Sequence, residues 1–156
     1  MVDCGAPAFR FNFRGVGTSA GQFDNGRGET DDLAAVVAEG RRRFPGAALW
    51  LGGFSFGAFV ALRGAATLAP SKLVAVAPPV ARFELGSVAH PECDWMLVQG
   101  SADDVVPPDA VLAWAAQQTG TPQGRLPRLH VIAGAGHFFH GKLHELRPLL
   151  LDFLKS

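Results

Sequence analysis

Short apolar runs alternate with longer amphipathic segments along most of the 156 residues. This alternation is typical of βα units, which build a parallel sheet. We predict strands over residues 8–13, 47–54, 72–77, 95–99 and 129–133. We predict helices over residues 29–44, 56–68, 107–119 and 142–154. The expected fold class is therefore α/β, with a mostly parallel sheet, helices on both faces and a single domain spanning residues 1–156.

The composition argues against several classes of function. The 14 Lys and Arg residues are balanced by 14 Asp and Glu residues, so the chain lacks the basic excess of a nucleic-acid-binding surface. No apolar run reaches the roughly 18 residues that a membrane span needs, and the first five residues lack the basic start of a secretory signal. Cys4 and Cys93 do not form a disulfide framework. We therefore expect a cytoplasmic protein with no nucleic-acid and no membrane partner.

A G-x-S-x-G pentapeptide, residues 53–57, stands between a predicted buried strand and a predicted helix. This is the context of a nucleophile elbow, a tight turn that presents a serine at the edge of a sheet. The turn requires small residues on both sides of the serine. The helix N-terminus and the backbone N–H of Phe56 would face the negative charge that develops during acyl transfer. Ser55 is therefore the candidate nucleophile, although glycine and serine are common in any turn.

A serine nucleophile needs a base, and the base needs an acid that orients it. Asp103 and Asp104 follow the fourth predicted strand, and His137 follows the fifth. Because parallel strands bring their carboxyl ends to one edge of the sheet, these residues can converge on Ser55. The spacing predicts a triad in the chain order Ser, Asp, His and leaves both aspartates open as the acid.

Four segments resemble the α/β-hydrolase superfamily, and most of all its small bacterial serine hydrolases without a lid. In chain order they are residues 10–19 (RFNFRGVGTS), 52–57 (GGFSFG), 99–103 (QGSAD) and 136–140 (GHFFH). The resemblance covers nearly the whole chain from Ala8 onward. It implies that Ser55 is the nucleophile and His137 the base. It also implies that Asp103 is the acid, because the family pattern places the acid three residues after the glycine of the third segment.

Several phenylalanines are neighbours of the triad residues in the sequence. By the resemblance, Phe56 supplies one oxyanion donor from its backbone N–H. We expect Phe54, Phe138 and Phe139 to line an apolar acyl pocket, because they flank Ser55 and His137.

The resemblance also implies that the fold is N-terminally shortened. Family members begin with three further strands and a helix, and the third of those strands normally lies between the strands predicted over 8–13 and 47–54. The loop after that strand normally supplies a second oxyanion N–H, and losing such a donor costs roughly 100- to 1,000-fold in rate. We therefore expect either a gap in the sheet or direct pairing of these two strands. A free edge of this kind could also join two copies of the chain.

The favoured function is a serine hydrolase that cleaves small-molecule carboxylic esters through an acyl-enzyme, without a cofactor. Residues 78–94 are too few to form a lid domain, which favours small or medium esters over long lipids. A metal site at His140 and His144 is disfavoured, because no carboxylate or cysteine completes a recognisable ligand set. The alternatives are a peptidase, a thioesterase or a lactone hydrolase on the same triad. A catalytically inactive shortened form that acts as a binding module is a further alternative.

Overall fold

The computed structural model describes residues 5–83, 85, 91–118 and 125–156. It contains helices α1 (Arg27–Arg43), α2 (Phe56–Leu68), α3 (Pro108–Ala116) and α4 (Leu143–Lys155). Its strands are β1 (Trp50–Phe54), β2 (Lys72–Val76), β3 (Asp94–Gly100) and β4 (Arg128–Ile132). The strands form one parallel sheet in the order β1-β2-β3-β4, which confirms the predicted α/β class. The last residue of the helix predicted over 107–119 lies outside the described residues. None of the helices in the described ranges is both long and apolar enough to span a bilayer.

The hydrophobic core lies on both faces of the sheet, because successive residues of a strand point to opposite sides. One face packs against α1, α2 and α3 and holds Leu73, Ala75, Trp95 and Leu97. The other face packs against α4 and holds Val74, Val76, Met96 and Val98. Since both faces are covered, β2 and β3 are apolar along most of their length. The predicted helices on both faces are confirmed.

The strand predicted over residues 8–13 is wrong. Phe9, Phe11 and Phe13 alternate with polar residues, but this segment pairs with no described strand. Instead a cavity of about 320 Å³ separates residues 6–11 from β1, and both line it. The alternation serves aromatic packing, since the ring of Phe9 meets that of Phe44 at 6.2 Å and the ring of Phe13 meets that of Phe56 at 5.6 Å. The structure therefore has the gap rather than direct pairing, and β1 keeps a free edge among the described residues.

Two carboxylates of α1 anchor the glycine-rich segment that precedes the helix. Asp32 forms an ion pair with Arg14, at 2.9 Å between Oδ1 and Nη2, and also accepts the Arg14 backbone N–H. Glu29 is fully buried and accepts the backbone N–H groups of Asp24 and Gly26 at 2.9 and 2.8 Å. These bonds hold the turn that places Phe23 near the carboxyl ends of β1 and β3.

Candidate active site

Ser55 lies in the sharp turn between β1 and α2, as the pentapeptide predicts. Its φ of 52° and ψ of −121° place it in a region that residues other than glycine seldom occupy. The surrounding backbone maintains this conformation. The Ser55 N–H donates to the carbonyl of Val76 at 2.8 Å, and the N–H groups of Ala58 and Phe59 donate to the Ser55 carbonyl at 2.9 and 3.2 Å. The turn is therefore bonded both to β2 and to the first turn of α2.

The two glycines of the pentapeptide differ in how much space surrounds them. A Cβ added at Gly53 would lie 2.1 Å from the carbonyl oxygen of Gly57 and 2.5 Å from the nitrogen of Ala58. A Cβ added at Gly57 would meet no atom within 4 Å. The expectation that both neighbours must be small thus holds for Gly53 and is corrected for Gly57. The reason is that β1 passes directly beneath the backbone of α2, whereas Gly57 points into open space.

The structure brings Ser55, His137 and Asp103 together in one hydrogen-bonded chain. The Nε2 atom of His137 lies 3.1 Å from the Oγ of Ser55, and its Nδ1 atom lies 2.9 Å from Oδ2 of Asp103. The three residues follow β1, β4 and β3, whose carboxyl ends share one edge of the sheet. The side chains of His137 and Asp103 are 4% and 0% exposed, so water is largely excluded from the contact between them.

The carboxylate of Asp103 is held by four donors. Oδ1 accepts the backbone N–H groups of Val105 and Val106 at 2.9 and 2.7 Å, and Oδ2 accepts the amide of Gln99 at 3.0 Å in addition to His137. Burial raises the pKa of Asp103, but the bonds from Val106, His137, Val105 and Gln99 outweigh it and keep that pKa below its ordinary value.

The charge of Asp103 determines which ring nitrogen of a neutral His137 carries the proton. An ionised carboxylate can only accept a hydrogen bond, so the neutral His137 ring carries its proton on Nδ1. Its Nε2 atom is then free to accept the hydroxyl proton of Ser55. Asp104, the other acid that the sequence left open, is exposed, and the contact to His137 is made by Asp103.

A cavity of about 300 Å³ opens beside Ser55. Its other lining residues are mostly apolar: Phe23, Phe56, Pro79, Ala81, Arg82, Phe83, Val105, Val106 and Pro107. As the first residue of α2, Phe56 also has a backbone N–H without a partner inside the helix. The cavity can therefore hold an apolar group next to a hydroxyl and a free N–H donor.

The three phenylalanines predicted to line the acyl pocket lie elsewhere. The rings of Phe54 and Phe138 pack against the imidazole of His137, with centroids 4.9 and 5.1 Å from it. Phe139 is 2% exposed and belongs to the core between the sheet and α4. Phe54 and Phe138 thus shield the imidazole, while the cavity is built from residues distant in the sequence.

Comparison with known proteins places the chain in a family. A solved α/β serine hydrolase without a lid, from Xanthomonas campestris, is 46% identical, with 94% of this chain and 64% of that chain covered and a TM-score of 0.85. A protein of unknown function from Agrobacterium tumefaciens, suggested to be an α/β hydrolase, is 30% identical, with 93% and 67% covered and a TM-score of 0.86. The chain belongs to the α/β-hydrolase superfamily. An uncharacterised protein of Rickettsia prowazekii is 31% identical over 99% of this α/β hydrolase and 67% of its own length. No family model matches the chain. The chain spans about two thirds of the length of these relatives.

Gln99 is a site residue of this α/β hydrolase that the sequence analysis missed. It is fully buried at the end of β3, where its amide donates to Asp103 and also to the carbonyls of Gly100 and Val106 at 3.3 Å. The available signal was one polar residue inside an otherwise apolar run, since an amide in such a place needs partners. Gln99 therefore helps to hold the Asp103 carboxylate in place.

The loops that carry Asp103 and His137 are hydrogen-bonded to each other. The N–H of Ala102 donates to the carbonyl of Ala135 at 2.9 Å, and the N–H of Gly134 donates to the Ser101 hydroxyl at 2.8 Å. A Cβ added at Gly100 would lie 2.3 Å from the Ala135 carbonyl oxygen, so the two loops are in close contact. In this α/β hydrolase the loops of Asp103 and His137 are therefore held as one unit.

The remaining histidines near the site do not converge on a common point. The ring of His140 stacks on that of Phe138 at 5.8 Å. The exposed His144 lies 3.7 Å from Glu145. Within the described ranges, no group of three or more histidine, cysteine, aspartate or glutamate side chains is placed to hold a metal ion.

Proposed function

We propose that this chain hydrolyses carboxylic esters with Ser55 as nucleophile, His137 as base and Asp103 as the orienting acid. The observation that carries the proposal is the hydrogen-bonded chain of 3.1 and 2.9 Å that links these side chains. Its order matches the division of roles in serine hydrolysis. The cavity beside Ser55 supports an ester with a small or medium apolar group.

The geometry supports a two-step reaction. As the Ser55 oxygen attacks the acyl carbon, Nε2 of His137 takes the hydroxyl proton, and the negative charge that forms on the carbonyl oxygen faces the N–H of Phe56. The imidazolium then protonates the departing alcohol, which leaves an acyl-serine. In the second step His137 removes a proton from water, and the hydroxide attacks the acyl carbon. His137 then returns the proton to Ser55 as the carboxylic acid product is released. Asp103 stabilises the imidazolium in both steps.

The first test is covalent labelling with a fluorophosphonate, measured by intact mass. We expect one adduct on the parent chain and none on Ser55→Ala, because the reagent reacts only with an activated serine. The control is Ser71→Ala at the start of β2, at the opposite end of the sheet, which should label like the parent. If a folded parent chain gains no adduct, the triad is not activated, and the alternative of an inactive binding module is favoured.

The same triad could also serve a peptidase, a thioesterase or a lactone hydrolase. A panel with one ester, one thioester, one lactone and one amide of the same acyl group separates these reactions. We expect the ester to give the largest kcat/KM.

As for location, Cys93 has a free thiol, which supports a reducing, cytoplasmic setting.

We also propose that two copies of the chain associate through the free edge of β1. Among the described residues this edge pairs with no other strand and borders the cavity of about 320 Å³, and such edges readily accept another strand. Light scattering after gel filtration should show a dimer that Leu49→Lys, at the cavity, weakens. Val131→Lys, on the outer strand β4, should leave it intact. A monomer at every concentration, or a dimer weakened only by Val131→Lys, would contradict this arrangement.

A further inference from the structure

A second cavity adjoins the one beside Ser55. It has a volume of about 320 Å³, and it shares three wall residues, Phe23, Arg82 and Phe83, with the first cavity. The remaining lining residues of the second cavity are Asn25, Arg27, Phe59 and Arg63. The two cavities are therefore neighbours, with these three residues as their common wall.

The second cavity is cationic. Arg27 is the first residue of α1, Arg63 lies in α2, and Arg82 follows β2, so three separate segments each contribute an arginine to the lining of this cavity. All three residues are exposed. In the part of the chain that the structure describes, none of them forms an ion pair, and none of the cavity's lining residues is acidic.

Two carboxylates near the start of α1 are engaged by backbone N–H groups. Glu29 accepts two backbone N–H groups, and Asp24 accepts the N–H of Gly28 at 3.0 Å. These bonds tie both acids to the N-terminal turn of α1. Guanidinium groups without a carboxylate partner are well suited to bind a carboxylate from a ligand, because their paired N–H donors match its two oxygens.

The wall between the two cavities is aromatic. The ring of Phe83 stacks on Phe59 at 4.6 Å and lies 5.5 Å from Phe56, and the guanidinium of Arg82 lies 5.8 Å from the centre of the Phe83 ring. A ligand that extends from Ser55 toward the second cavity thus crosses an aromatic surface before it reaches Arg27 and Arg63, while Arg82 borders both cavities.

We infer that the preferred substrate is an ester that carries a carboxylate at the end of an apolar arm. The ester carbonyl lies at Ser55, the arm crosses Phe56 and Phe83, and the carboxylate meets Arg27, Arg63 and Arg82. This inference rests on the proposed ester hydrolysis and names its substrate class. It also reverses the ordinary preference of an apolar pocket, which favours a neutral group over a charged one.

The test compares mono-esters of dicarboxylic acids with neutral esters of the same length, in which the free carboxylate is methylated. A second pair carries the carboxylate on the alcohol side. We expect kcat/KM to be about tenfold higher for the carboxylate form of one pair and to fall with added salt. Across a series of arm lengths the preference should peak at one length, since the arm must span from Ser55 to the second cavity. Equal values for both forms in both pairs, or a monotonic rise with arm length in charged and neutral esters alike, would overturn the inference.

Variants assign the preference to these arginines. The triple variant Arg27→Gln, Arg63→Gln, Arg82→Gln should lose the ratio between charged and neutral esters, and the matching lysine variant should retain most of it. Arg128→Gln at the start of β4, at the other end of the sheet, removes the same charge and should leave the ratio unchanged. A ratio that survives in the triple glutamine variant would contradict the assignment.

Binding to Ser55→Ala needs no turnover and separates the two proposals. Calorimetry should show that Ser55→Ala binds the carboxylate ester about tenfold more tightly than the neutral one. If this difference is found while the parent hydrolyses neither ester, the proposed function fails and the anion site stands. If the parent hydrolyses both esters equally and Ser55→Ala binds both equally, hydrolysis stands and the anion site fails.

Discussion

Replacing Asp103 by asparagine is expected to lower kcat by about 10⁴-fold. Oδ1 accepts two backbone N–H groups, from Val105 and Val106, so the amide oxygen of an asparagine must take that position. Its NH₂ group then replaces Oδ2 and faces Nδ1 of His137. An NH₂ group can only donate there, which forces the imidazole proton onto Nε2. The ring can then no longer accept the proton of Ser55.

The matched control is Asp104→Asn, because Asp104 is the exposed neighbour with the same side chain. It should change kcat by less than about twofold, as is usual for exposed substitutions. Steady-state hydrolysis of one neutral ester measures both variants, and a thermal melt shows that each is folded. Equal losses in the two variants would mean that the contact between Asp103 and His137 does not set the reaction rate.

Replacing Gly53 by alanine is expected to remove about 3 kcal/mol from the free energy of unfolding. The added methyl carbon would lie 2.1 Å from the Gly57 carbonyl oxygen and 2.2 Å from its carbon, and neither is a flexible side chain that can move away. Strand β1 and helix α2 must therefore separate. Because Ser55 lies between them, its bond to His137 is lost as well. A loss of this size is a large part of the 5–15 kcal/mol that a domain typically has.

Gly57→Ala tests the same elbow without the clash. A methyl group at Gly57 meets no atom within 4 Å, and alanine favours a helix over glycine by about 1 kcal/mol. Urea unfolding should therefore show a stability equal to or above that of the parent. If Gly53→Ala proves as stable as Gly57→Ala, the close approach of β1 to α2 is not a real constraint on this turn.

The sequence was sufficient to predict the sheet, the helices and the three residues that meet in the site. Apolar runs, the proline and glycine residues that end helices, and the position of a residue at a strand end are local features. They predict these elements without knowledge of the tertiary contacts. The strand predicted over residues 8–13 was wrong because a strand forms only when it pairs with another strand. The sequence of the segment itself does not show whether such a partner is present. Phe9 and Phe13 instead pack against the rings of Phe44 and Phe56.

The cavity could not be predicted because side-chain direction depends on the backbone. Phe139 follows His137 closely in the sequence, yet its left-handed φ of 52° accompanies its burial in the core. Phe23 and Phe83 are distant in the sequence and line the cavity beside Ser55. The choice between Asp103 and Asp104 likewise depended on which carboxylate is buried. The family pattern indicated Asp103, whereas spacing alone did not.

The hydrogen bonds described above place Ser55 in one bonded region of the structure and Asp103 and His137 in another. Asp103 and His137 lie on loops that are bonded to each other, whereas the turn of Ser55 is bonded to β2. The hydrogen bond from Ser55 to His137 and the packing of the Phe54 ring on the His137 imidazole connect these regions, and in the described residues no backbone hydrogen bond joins the Ser55 turn to either loop. The Nδ1 side of His137 is thus held by Asp103 independently of the Ser55 turn.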